Sequence, residues 1–108
     1  MTSNRVQQLR EFLKQDPDDE FTNFALALEY LKTDQLQEAL ELFLKLKNHN
    51  PEYVGVYYHL GKLYEKLNRF DDAVQTYQNG IGIATRLREH HTSNELQQAL
   101  QELQLDDE

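Results

Sequence analysis

Four histidines, His49, His59, His90 and His91, are the side chains of this 108-residue sequence best suited to holding a transition metal or moving a proton near neutral pH. Their placement supports neither role. His49 stands just before a helix start, His59 lies inside a helical pattern, and His90-His91 are read as closing a helix, where they complement the dipole. Adjacent helical residues also point about 100° apart, too far to grip one ion together. The sequence has no cysteine, which removes disulfides, thiolate nucleophiles and cysteine metal sites and leaves the redox compartment open. Gly80-Ile81-Gly82 starts like a phosphate-binding loop, but Thr85 occupies the third glycine position and no strand precedes it, so Gly80 is read as a close-packing position in a helix. No serine, histidine and acid combination or buried carboxylate pair stands out. Catalytic, cofactor-binding and metal-ligating residues are therefore all expected to be none.

Charge narrows the partners. Eleven basic residues against 19 acidic ones give a net charge of -8, a poor match to nucleic acid or to an acidic membrane surface, whose binding needs Lys and Arg. Residues Met1 to Gln8 are polar throughout, and no apolar run approaches the ~20 residues of a membrane span, so a cytoplasmic protein is expected. With 39% hydrophobic residues, the length suits one domain with its own core.

Only four Gly and two Pro interrupt the chain, and apolar residues recur at three and four, so the sequence predicts helix nearly throughout. The two prolines, Pro17 and Pro51, are 34 residues apart. At that shift Leu26 falls on Leu60, Ala27 on Gly61, Tyr30 on Tyr64, Leu36 on Phe70, Ala39 on Ala73, Leu40 on Val74 and Phe43 on Tyr77. Small residues at fixed places between large ones, with a 34-residue period, describe a helix-turn-helix repeat that stacks on its neighbours. The predicted helices are 4–15, 18–32, 35–48, 52–67, 70–90 and 93–104. Asp16-Pro17 and Asn50-Pro51 are read as helix starts, with an acceptor as cap and proline in the first turn. Asp34 and Asn68, again 34 apart, tolerate the left-handed conformation of a tight helix-helix turn. The first helix packs through Val6, Leu9, Phe12 and Leu13. The last starts with a Thr92 to Glu95 capping box and carries Leu96, Leu100 and Leu103.

The pattern Tyr57-x2-Leu60-Gly61-x2-Tyr64, then Ala73-x3-Tyr77, resembles the tetratricopeptide (TPR) family. The preceding unit reads Asn23-x2-Leu26-Ala27-x2-Tyr30, Ala39-x3-Phe43 and Pro51, and the resemblance spans about residues 17 to 84. Two positions depart from the pattern. Asn23 replaces an aromatic, which weakens a packing contact, and Thr85 replaces the closing proline, which lets that helix run past the usual stop. The resemblance implies an all-α solenoid in one domain, 1–108: an N-terminal cap helix (4–15), repeat 1 (18–51), repeat 2 (52–85), an extension with a C-terminal cap helix (86–104) and an acidic tail (105–108). It implies a protein-interaction module without catalysis.

Helix 18–32 carries a second apolar stripe, Phe21, Phe24, Leu28 and Leu31, whose steps of three, four and three keep it on one face. In the family, such positions on first helices line a concave groove that holds a peptide or helix of a partner. The positions 34 further on are Gly55, Tyr58, Lys62 and Glu65, so the implied groove is Phe21, Phe24, Leu28, Leu31, Tyr58 and Lys62, with Lys66 as a further cation. One subclass grips a terminal carboxylate with Lys, Arg and Asn at these places; Phe24, Leu28 and Tyr58 here do not suit that clamp. A contiguous apolar stripe calls for a cover. That cover is an outside protein or peptide or, alternatively, the chain's own N-terminal or C-terminal helix or a second copy in a homodimer. The net charge favours a basic partner at long range, against the local charge of Lys62 and Lys66.

Overall fold

Stretches of good helix formers between short polar breaks give six α-helices in the computed structural model, which describes residues 4–106: α1 (Asn4–Gln15), α2 (Glu20–Lys32), α3 (Leu36–His49), α4 (Gly55–Lys66), α5 (Phe70–Arg86) and α6 (His90–Asp106). No strand occurs among the described residues. The helices group into two compact units that divide between Pro51 and Glu52. Unit 1 holds α1, α2 and α3; unit 2 holds α4, α5 and α6.

In unit 1, α2 packs on α3 through Leu26, Tyr30, Leu40 and Phe43, all buried around the alanines Ala27 and Ala39. Small residues at the crossing let the backbones approach, and the large neighbours fill the space around the contact. Helix α1 closes the other side of α2. It buries Val6 and ties itself down through Arg10, whose Nε and Nη2 donate to the Tyr30 hydroxyl at 3.0 and 2.7 Å. Leu9 and Leu13 are half-buried, whereas Phe12, expected in that packing face, is 51% exposed. Twelve residues allow α1 little more than three turns against a single neighbour, and Phe12 falls outside the strip that α2 covers.

Unit 2 repeats the α2–α3 pairing as α4–α5, with Leu60, Tyr64, Ala73 and Tyr77 buried at the corresponding places. One correlated change separates the two pairs. Unit 1 has Ala27, Leu31 and Phe43 where unit 2 has Gly61, Glu65 and Tyr77. A Cβ at Gly61 would lie 2.2 Å from Cε1 of Tyr77, so the bare glycine makes room for the phenol. The Tyr77 hydroxyl then donates to Glu65 Oε2, which satisfies a polar group that is otherwise fully buried. Burial of the ring and the carboxylate beside it push the Tyr77 hydroxyl pKa well up. Helix α6 covers α5 with Leu96, Ala99 and Leu103. Gly80 permits that approach: a Cβ there would be 2.6 Å from Tyr57 Cβ and 2.8 Å from Leu96 Cδ1.

The turns reproduce the 34-residue period. Asp34 and Asn68 are left-handed, with φ of 61° and 60°. Gln35 N bonds Tyr30 O at 2.9 Å and Arg69 N bonds Tyr64 O at 2.8 Å, the long bond of a Schellman turn in each case. A third turn of this type was not anticipated: Arg88, φ 61°, sits between α5 and α6, with Glu89 N bonded to Ala84 O at 2.8 Å. It corrects the expected boundaries. Helix α5 stops at Arg86 rather than 90, still three residues beyond the point that matches the end of α3, and α6 starts at His90 rather than 93. His90 and His91 therefore open a helix instead of closing one, and Thr92 lies inside the first turn rather than capping it.

Helix starts also differ from expectation. Asp19 caps α2, its carboxylate accepting from Thr22 N at 2.9 Å and Thr22 Oγ1 at 2.5 Å, which holds its pKa below the usual carboxylate value. Pro17 lies in the preceding turn instead of the first helical turn. Helix α4 starts at Gly55, and Asn50 is the residue that ends α3. Asn23 does more than weaken a contact. It is buried, and its Nδ2 donates to Pro17 O at 3.0 Å and Asp19 O at 2.8 Å, which fastens the turn to α2. Its Oδ1 is buried without a hydrogen-bond partner. Of the acidic tail, Asp107 and Glu108 lie outside the described residues, as do Met1 to Ser3 at the polar start.

Candidate protein-interaction surface

The α2 stripe divides between core and surface because its residues reach round more of the helix than α3 can cover. Phe24 is half-buried, its ring centroid 6.2 Å from that of Phe43 and tilted by 60°. Leu28 and Leu31 are half-buried, and Phe21 is 66% exposed. Phe21, Phe24 and Leu28 line a recess of about 370 Å³ together with Ala25, Arg5, Glu29 and Lys32. Leu31 does not line it. Glu29 anchors the rim: its Oε1 lies 3.0 Å from Arg5 Nε and 3.2 Å from Lys32 Nζ. A second recess of about 450 Å³ opens between α1 and α2, with Leu9, Phe12 and Phe21 as its apolar lining. Phe21 and Arg5 belong to both, so Phe21 forms a ridge between two apolar hollows.

On unit 2, Tyr58 and Lys62 line a smaller recess of about 180 Å³ against Glu95, Gln98, Ala99 and Glu102 of α6. Lys62 Nζ sits 5.7 Å from the Tyr58 ring centroid and 3.8 Å from Glu65 Oε2. Lys66, the last residue of α4, is exposed and does not line this recess. Next along α4, His59 is half-buried; desolvation holds its pKa below the ordinary imidazole value, against a smaller upward pull from Glu95. The residues that motif reading missed are Arg5, Glu29 and Lys32 on unit 1 and the α6 residues on unit 2. Lys32 lies one helical turn beyond Leu28 and could have been found by extending the stripe. Arg5 is 24 residues from Glu29, and nothing local announces that pair. Among the described residues no group of three or more His, Cys, Asp and Glu could hold a metal ion, and no helix is long and apolar enough to cross a membrane.

The family model described as anaphase-promoting complex, cyclosome, subunit 3 matches residues 3–80. A tetratricopeptide repeat domain protein from Salinibacter ruber, solved as a crystal structure, is 49% identical over 80% of this chain and 96% of its own, with a TM-score of 0.77. The chain belongs to the tetratricopeptide repeat family. A Bordetella parapertussis protein shares the TPR fold over 99% of this chain and 92% of its own, at 24% identity and a TM-score of 0.85. So does the TPR2B domain of yeast Sti1, solved in a pHsp70 complex, over 94% of this chain and 81% of its own, at 17% identity and a TM-score of 0.85. No curated protein matches the chain. The TPR family is a protein-interaction fold, and the repeat positions described above are those of the family.

Proposed function

We propose that this TPR chain holds a peptide or helical segment of a partner protein, with the α2 recess of unit 1 as its apolar contact; on unit 2, Tyr58, Lys62 and Lys66 offer a polar contact surface of their own. The observation that carries this reading is Phe21. A phenylalanine 66% exposed beside half-buried Phe24 and Leu28 leaves apolar surface in water that a partner's side chain would cover. Leu31 contributes to the same stripe at its far end. The pHsp70 complex of the yeast Sti1 domain supports the general mode, a TPR fold of this size engaging another protein.

Selection from a displayed peptide library, followed by titration of the selected peptide into the isotope-labelled chain, tests the proposal. Shift changes centred on Phe21, Phe24, Leu28 and Lys32 are expected. Selection that yields no binder, or binders that leave those residues unperturbed, contradicts it.

A further inference from the structure

The rim of the α2 recess differs in sign from the molecule as a whole. Arg5 and Lys32 share the one carboxylate of Glu29, at 3.0 and 3.2 Å, which leaves a positive charge in excess beside a floor of Phe21, Phe24 and Leu28. A ligand complementary to this arrangement joins a bulky apolar side chain to neighbouring carboxylates. The chain carries such a segment. Leu105, in the last turn of α6, is 62% exposed, and the sequence continues from it as Asp106-Asp107-Glu108. Leu103 turns into the core of unit 2, and two helical positions further on, about 200° around the axis, Leu105 faces water.

We infer that the segment from Leu105 to Glu108 of one copy docks in the α2 recess of a second copy. Leu105 lies against Phe21, Phe24 and Leu28, and the acidic residues that follow it meet Arg5 and Lys32. The inference rests on the reading of the recess as a docking surface and names its occupant. Recess and tail are different surfaces, so the contact pairs unlike patches, and both a head-to-tail row and a reciprocal exchange between two copies satisfy it. Two chains of charge -8 repel at long range. That repulsion is screened beyond about 8–10 Å at physiological salt, whereas the rim pairs act at contact distance. The association is accordingly weak and depends on concentration.

Sedimentation of the whole chain from about 10 μM to about 1 mM reads this out. The mean mass is expected to rise above that of one chain, and Lys32→Glu or Leu105→Ser, both at exposed positions, should each abolish the rise. Mixing the two variants should restore pairing that stops at two chains, since one retains only the tail and the other only the recess. A wild-type chain that stays monomeric throughout overturns the inference, as does association that Leu105→Ser leaves intact. Peptides selected by the recess while the chain stays monomeric would remove the tail as occupant and keep the docking surface; failure to select any peptide would remove the surface itself.

Discussion

A Cβ added at Gly80 would stand 2.6 Å from Tyr57 Cβ and at Gly61 2.2 Å from the Tyr77 ring, while at Gly82, two residues along the same α5 helix, nothing lies within 4 Å. The three positions therefore separate close packing from backbone entropy. Gly61→Ala and Gly80→Ala are expected to destabilise by about 1–3 kcal/mol through overpacking. Gly82→Ala, on the exposed side of α5, is expected to stabilise by about 0.5–1 kcal/mol by restricting the unfolded chain. Thermal melts check both signs, at about 4–8 °C per kcal/mol for a chain of this size. His59 adds a pH dependence. Its folded pKa lies below the ordinary value of 6.5, so the unfolded chain binds the proton more readily and stability falls as pH drops through and below that value. Melting points taken between about pH 7.5 and pH 5.5 should show this loss, and His59→Gln should flatten the profile across that window.

At the scale of elements, the turns show what was legible in the sequence. Asp34 and Asn68 announced themselves twice, by their 34-residue spacing and by side chains that accept positive φ. Arg88 gave neither signal, because arginine has no special tolerance of that conformation and the third turn falls 20 residues after Asn68, outside the period. The misplaced ends of α5 and α6 both follow from that one residue. Prolines misled for a related reason. Pro17 has the pattern of a residue that opens a helix, yet Asp19, closer to Thr22, wins the cap through two hydrogen bonds. Since a non-glycine residue in the left-handed region costs about 1–2 kcal/mol, Arg88→Gly is expected to stabilise by about 1 kcal/mol, whereas Asp34→Gly should gain less because Asp tolerates the conformation better. Denaturant unfolding of the two variants measures the difference; an Arg88→Gly variant less stable than wild type would contradict the turn geometry.

At the scale of the whole molecule, the α2 stripe was legible because its three- and four-residue steps needed only the helix period. The charged rim was not, because Arg5 and Glu29 meet only once α1 has packed on α2. Net charge was legible as a number and poor as a guide to the site, since a total of -8 coexists with an excess positive charge beside Phe24 and Leu28. The central claim is that exposed apolar surface on α2 serves a partner rather than the core. Its most direct test is Phe21→Ser, measured at once by melting temperature and by affinity for a peptide selected on the wild-type chain. The expected result is a melting temperature within about 2 °C of wild type, because Phe21 is 66% exposed, together with a loss of affinity of about tenfold or more. A large fall in melting temperature with affinity unchanged would place Phe21 in the folding core and contradict the claim.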